Sequence, residues 1–381
     1  MKKNMAKILF YRSDWTANTD RRILDEYGGV GYYRIVKVAE QAKNHTVDVV
    51  GAKFTLKGES LEDRYTRIFN KYDILWTCYT AHSEDASAMF YFRDKLKKKV
   101  VIDLDDNYLD VAESHNLYDR LKMGKKDRAF IGTALSFADA ITVSSEPLKQ
   151  RMEEHFKTVY GIEKKIFVLP NMNDVKDWDY PVVAKSDKKF IVGYAGSNSH
   201  NEDLKMFVPH LAKIMNENEN VYFESTGAIE RKKLDYLGFP EFMTESSLTR
   251  CDLIPSTSIF KEYPKHIANQ PWDVAVAPLA DNAFNRCKSH IKWIECSMFK
   301  IPVIASRVYP YYVDLWGRKT VEHDKTGLLV KPSEWVDALK ELMDNKEKRT
   351  SLGENAYNSI KENWQYNDDF VVAIDKVISS L

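Results

Sequence analysis

Lys288, Lys292 and Glu295 stand four and three positions apart in the stretch APLADNAFNRCKSHIKWIECSMFKIPVIAS, which begins at Ala277. On a helix those intervals put all three on one face. Two ammonium groups on one face can hold a diphosphate. A carboxylate three residues on can accept hydrogen bonds from ribose hydroxyls. On an ordinary solvated helix the same pattern is a set of surface salt bridges, so the fold must bring these residues to a cleft before they mean chemistry.

GGVGYYRIVKVAEQ, from Gly28 to Gln41, crowds glycines at Gly28, Gly29 and Gly31 where a helix is expected to begin. Glycine weakens a helix, but the start of a helix carries unpaired N–H groups and partial positive charge. Glycines there let an anion approach the backbone; a tight turn is the plainer alternative. Neither a P-loop nor a full GxGxxG is present. Arg34, one turn on, either supports an anion or is a solvated charge. Of Tyr32 and Tyr33, one is expected in the core and the other on the acceptor side, with Tyr32 the acceptor-side candidate. YAGSNSHNEDL, from Tyr194, repeats the strand–glycine–helix arrangement. Its Gly196, Ser197, Asn198 and Ser199 can cap a helix or bond a phosphate.

The run VVIDLDDN ends in Asp103, Asp105, Asp106 and Asn107. Carboxylates at a strand end can bond sugar or acceptor hydroxyls, act as a base, or cap their own turn. Asp103-Leu104-Asp105 also spells an Asp-x-Asp that can hold a divalent metal; no metal is expected. His82, after DILWTCYT, is either a loop histidine or an acceptor-side residue.

These candidates need elements to position them. Eleven nearly continuous apolar runs, starting at Lys7, Thr46, Asp73, Lys99, Asp139, Lys165, Lys189, Val221, Asp273, Ile301 and Thr326, read as strands buried on both faces of parallel sheets. Helical patterns between them make βαβ units. Two such series in 381 residues predict an α/β chain of two Rossmann-like domains facing a central cleft. The expected boundaries are 1–175 for a first domain, 176–188 for a linker and 189–363 for a second domain, followed by a last helix near 364–381. Ligands bind beyond the carboxyl ends of such strands.

Composition adds limits. Lys+Arg and Asp+Glu balance at 56 each, which argues against a generally basic nucleic-acid binder. No apolar run is long enough to span a bilayer, and the N-terminus reads as a strand rather than a signal peptide. Cys78, Cys251, Cys287 and Cys296 lack metal-ligand spacing and suit reduced thiols in a cytoplasmic protein.

The chain resembles a GT-B-fold glycosyltransferase of the group-one, family-four type, of the capsule, cell-wall or phage-encoded subset. The likeness rests on the Gly-rich loop, AD-x-I-T-V-S-S-E-x-L from Ala138, V-L-P-N from Val168, D-V-A-V-A-P-L from Asp273, K-x-x-E from Lys292, I-P-V-I-A-S from Ile301 and T-G-L-L-V from Thr326. Their order covers nearly the whole chain. The resemblance implies a nucleotide-sugar donor, no cofactor, no metal, and retention at the anomeric carbon. It makes 1–175 the acceptor domain, with Tyr32, Arg34 and His82 on the acceptor side, and 189–363 the donor domain, with the last helix near 364–381 packing back on the first domain. It places Glu295 on the donor ribose and Lys288, with Lys292, on the donor phosphates. The chain departs from the family's Glu-seven residues-Glu motif by carrying Cys287 where the first glutamate would stand. The implied acceptor is a glycan or a lipid-linked or cell-wall polymer, reached in the cytoplasm or by peripheral contact with the inner membrane face. A hydroxylated base of DNA is an alternative acceptor, tracked by Lys95, Lys97, Lys98, Lys99, Lys122, Lys125 and Lys126. A non-catalytic sugar-nucleotide binding protein is a further alternative.

Overall fold

A computed structural model describes residues 5–12, 27–51, 60–78, 83–111, 125–196, 200–227, 229, 234–255, 257 and 259–381. The first domain is a six-stranded sheet of β1 (Lys7–Arg12), β2 (Thr46–Gly51), β3 (Ile74–Cys78), β4 (Lys99–Leu104), β5 (Ala140–Val143) and β6 (Ile166–Val168). Its strands run parallel in the order β2-β1-β3-β4-β5-β6. The second domain starts with β7 (Phe190–Gly196), β8 (Val221–Gly227), β9 (Cys251–Ile254), β10 (Val274–Ala277) and β11 (Val303–Ser306). A short antiparallel hairpin of β12 (Asp314–Leu315) and β13 (Arg318–Lys319) precedes β14 (Leu328–Val330). The second parallel sheet has the order β14-β11-β10-β7-β8-β9.

Each of the eleven apolar runs contains one strand of these two sheets. The central strands β3, β5, β10 and β11 bury every residue, as sheets covered by helices on both faces require. β9 was not expected. It is an edge strand of four residues with Asp252 exposed in its middle, so it lacks the continuous apolar run that marks the others.

The chain passes between domains through a 3-10 turn, Val175–Trp178. Trp178 is buried there, its ring 5.7 to 6.3 Å from those of Phe260, Tyr263 and Phe299. It returns after the helix Lys346–Asn363, where Asn173 and Trp364 join by a backbone hydrogen bond of 2.7 Å. The final helix, Asp368–Ser379, starts at Asn367, whose side chain accepts from the Phe370 N–H, with Asp368 and Asp369 in its first turn. It lies on the first domain, where Asp375 accepts from Asn44 at 2.9 Å and from His45 Nε2 at 3.1 Å. Phe370, Ile374 and Val377 on that helix are fully buried.

Candidate functional site

Beyond the carboxyl ends of the strands lies a cleft of about 560 Å³. The first domain lines it with Gly29, Tyr33, Asp105 and Asp106, and the second with Gly196, His200, Gly227, Lys288, Lys292 and Glu295.

The three residues that opened the sequence reading all reach this cleft, but not from one helix. Lys292 and Glu295 lie on the helix Ile291–Ser297, whereas Lys288 follows a 3-10 turn, Asn285–Cys287, in extended backbone with ψ of 172°. The Cys287 carbonyl, which a continuous helix would use, accepts instead from Ser145 Oγ of the first domain at 2.7 Å. The Asn285 side chain is held by Asp203 and by the Ala280 carbonyl. Extended backbone carries Lys288 across the cleft to pair with Asp106 at 3.0 Å, its ammonium also 4.4 Å from the Phe284 ring centre.

Lys292 Nζ donates to Tyr194 Oη at 3.2 Å. Burial lowers its ammonium to about 8, with Asp203 opposing that fall and Lys288 adding to it. Glu295 sits between two phenols: Tyr33 Oη donates to Oε1 at 3.3 Å and Tyr263 Oη to Oε2 at 3.1 Å. Burial raises its carboxyl to about 7, while those two bonds and Lys292 pull it down. A carboxylate has about four lone-pair sites, so acceptor capacity remains for a ligand hydroxyl.

The first domain corrects several expectations. Arg34 also lines the cleft, but it is not a solvated charge. Its Nε and Nη2 grip Asp103 at 2.9 and 2.7 Å, and Nη1 donates to the Leu169 carbonyl and to Asn171. Both partners are about 1% exposed. Asp103 therefore does not face the cleft; it also accepts from Thr142 at 2.6 Å. Asp105 and Asp106 do line it, with Asp105 accepting from Tyr108 at 2.9 Å and Asp106 from Lys288. Asn107 is fully buried against Cys287 and Asp110.

The tyrosines are also reassigned. Tyr32 is a core residue, stacked on Phe260 with ring centres 4.0 Å apart and its hydroxyl donated to Asp177. Tyr33 is the one that meets the cleft. Both lie in the π-helical turn Gly31–Val36 that begins the first helix. Such turns are rare and frequent at functional sites. Gly29 lines the cleft, and among the described residues a Cβ there would meet only the Phe260 ring, at 3.8 Å. Gly196 is different: a Cβ would fall 2.4 Å from the Tyr194 hydroxyl that holds Lys292. Close side-chain packing alone requires that glycine.

His82, Ser197 and Asn198 lie outside the described residues. Sequence reasoning missed Tyr263, Gly227 and His200. The His200–Asp203 spacing, one helical turn, was visible in YAGSNSHNEDL. Tyr263 gave no such signal, because it stands 32 residues from Glu295 on a separate helix, Tyr263–Ala268.

Outside the cleft, the expected lysine patch is partly spent on the fold. Lys98 donates to the Phe69 and Asn70 carbonyls and Lys99 pairs with Asp139 at 3.1 Å. Lys122 and the side chains of Lys125 and Lys126 lie outside the described residues. All four cysteines are buried and unbridged, and burial raises the Cys287 thiol to about 12. No helix among the described residues is long and apolar enough to cross a membrane.

No protein-family model and no curated protein matches the sequence. Solved structures do. Anabaena Alr3699/HepE in complex with UDP and glucose superposes with a TM-score of 0.65 at 16% identity, over 99% of this chain and 100% of that one. A glycosyltransferase from Rickettsia africae gives 0.61 at 15% identity, over 99% and 98%. S. aureus TarM, solved with fondaparinux, alpha-GlcNAc-glycerol and UDP, gives 0.52 at 14% identity over 81% of this chain and 55% of that one. At these identities the likeness establishes the fold: two Rossmann-like domains about a cleft, the GT-B architecture.

Proposed function

We propose that this chain transfers a sugar from a nucleoside diphosphate sugar to a hydroxyl acceptor. The observation that carries the proposal is the convergence of Lys288, Lys292 and Glu295 on a cleft shared by the two domains. Lys288 and Lys292 meet the diphosphate and stabilise the charge that grows on the leaving oxygen, which counts most in a site shielded from water. Glu295 accepts from the ribose hydroxyls. The first domain presents the acceptor along Gly29, Asp105 and Asp106. Closure of the domains about the crossing at Asp174 excludes water and limits hydrolysis of the donor.

The proposal includes retention at the anomeric carbon, which the family resemblance favours, and independence of metal, since two lysines serve the diphosphate. No protein base is assigned. The acceptor class proposed is a glycan or a lipid-linked or cell-wall polymer, met in the cytoplasm or at a membrane surface. UDP-sugars are the first donors to try, because Anabaena HepE and S. aureus TarM were both solved with UDP.

The test is a thermal-shift screen with UDP, GDP, ADP, CMP and their common sugars, because native-state binding raises Tm by mass action. A shift with one nucleotide, retained in EDTA and lost in Glu295→Ala, supports the reading. Slow release of free sugar from the bound donor would separate an enzyme from a binding protein. No shift with any nucleotide and no turnover of any donor would overturn it.

A further inference from the structure

His200 lines the cleft and has no part in the function proposed above. It precedes the helix Asn201–Glu217, and its ring is largely buried. Nδ1 lies 2.7 Å from Asp203 Oδ2. The other oxygen of Asp203 accepts from the Ala280 N–H at 2.7 Å and from Asn285 Nδ2 at 2.8 Å. A carboxylate that already takes two N–H donors is held as an acceptor, so its third neighbour must donate as well. The proton of a neutral His200 ring therefore sits on Nδ1 and leaves a lone pair on Nε2. Nε2 has no protein hydrogen-bond partner among the described residues and is not sealed from the cleft. Burial and the charges of Lys292 and Lys288 disfavour a second proton and push the imidazole down to about 4.

A neutral Nε2 lone pair cannot bond a diphosphate oxygen, which is itself an acceptor without a proton at neutral pH. It requires a hydrogen-bond donor. In a nucleoside diphosphate sugar the donors are N–H groups of the base and the hydroxyls of the ribose and of the transferred sugar. His200 feels the charges of Lys292 and Lys288, the diphosphate lysines, which sets it at the diphosphate rather than at the base, and Glu295 is already the acceptor assigned to the ribose. We propose that His200 Nε2 accepts a hydrogen bond from a hydroxyl of the transferred sugar and so helps select the donor, with Asp203 as the positioning residue that fixes the tautomer. This assignment rests on the transferase reading.

The test is titration of the wild type and of His200→Asn with UDP, UDP-glucose and the monodeoxy analogues of UDP-glucose. Asparagine keeps a donor for Asp203 but cannot reach as far as Nε2. Affinity for UDP is expected to change less than about 2-fold, while affinity for UDP-glucose falls about 2- to 13-fold, the worth of one neutral hydrogen bond. One deoxy analogue, bound more weakly than UDP-glucose by the wild type, should be bound as well as UDP-glucose by the variant. His200→Gln, which places an amide oxygen near the position of Nε2, should recover part of the loss. Asp203→Asn, which also loosens Asn285, should lose the same discrimination, read as the ratio of UDP-glucose to UDP affinity. Parallel loss of UDP affinity in His200→Asn, or discrimination that survives against every analogue, overturns the assignment alone. A wild-type protein that binds neither UDP nor UDP-glucose overturns the donor reading and this assignment with it.

Discussion

The phenol of Tyr33, in the first domain, donates to Oε1 of Glu295, in the second, at 3.3 Å across 262 residues of sequence. With the Lys288–Asp106 pair and the Asn171–Ser289 hydrogen bond of 2.8 Å, it ties the two walls of the cleft together. A ligand that uses Glu295 must share it with Tyr33 or displace it, so occupancy of the cleft and the separation of the domains are coupled.

Glu295 should make stability depend on pH. Its carboxyl is raised to about 7 in the folded chain, against an ordinary value of 4.5. The native state then keeps a proton that the unfolded chain has lost, so stability falls as pH rises through that window. The contribution is fully present below about pH 4.5 and gone above about 7, on the order of 3 kcal/mol in all. Urea unfolding of the wild type and of Glu295→Gln at a series of pH values checks it: the difference between the two should slope only inside that window. Tyr33→Phe removes a bond to the charged form and should extend the slope upwards. A pH-independent difference would refute the assignment.

Gly29→Ala separates a ligand contact from a turn. Among the described residues the added Cβ meets only the Phe260 ring, at ordinary distance, so the stability change should stay within about 0.5 kcal/mol. If a diphosphate or sugar approaches this backbone, UDP-sugar affinity should nevertheless fall about 10-fold, at a cost of about 1.4 kcal/mol. Thermal unfolding with and without ligand measures both. Unchanged affinity would leave the glycine a purely structural residue.

Arg34 and Asp103 form a fully buried pair, so breaking it from one side strands a charge. Arg34→Met or Asp103→Asn should each cost about 3–5 kcal/mol. The double variant Arg34→Met/Asp103→Asn should cost less than the sum of the two. Denaturant unfolding of the three variants checks the cycle. Single variants within 1 kcal/mol of wild type would show that the pair is solvated in solution.

The final helix should behave as part of the first domain. Phe370 is fully buried beside Tyr366, with ring centres 4.9 Å apart. Phe370→Ala should cost about 3–5 kcal/mol. Asp375→Ala should expose the amides around Asn44 and His45 to hydrogen exchange ahead of those in the second sheet. Loss of protection confined to the last helix would mean that it does not support the first domain.

The sequence by itself determined the two parallel sheets, because strands covered on both faces must be apolar along their whole length and eleven such runs stood out. It marked Lys288, Lys292 and Glu295, whose charge types and intervals survive any detail of backbone. It marked too the glycine-rich start of the first helix. It did not determine that Lys288 leaves the helix, since Ser145, more than a hundred residues upstream, takes the carbonyl that helix would need. Tyr32 and Tyr33 are adjacent and chemically identical, and both are buried; only the turn of the backbone and the position of Phe260 and Glu295 in the other domain decide which of them also meets the cleft. Arg34 and Asp103 read as cleft residues because each stands near a strand or helix end; Arg34 does line the cleft, but its guanidinium is held by Asp103 behind it, a partner 69 residues away that no local pattern names. The apolar pattern is a local property and is legible locally. The partners of a polar side chain come from distant parts of the chain, and only the packed tertiary structure chooses them.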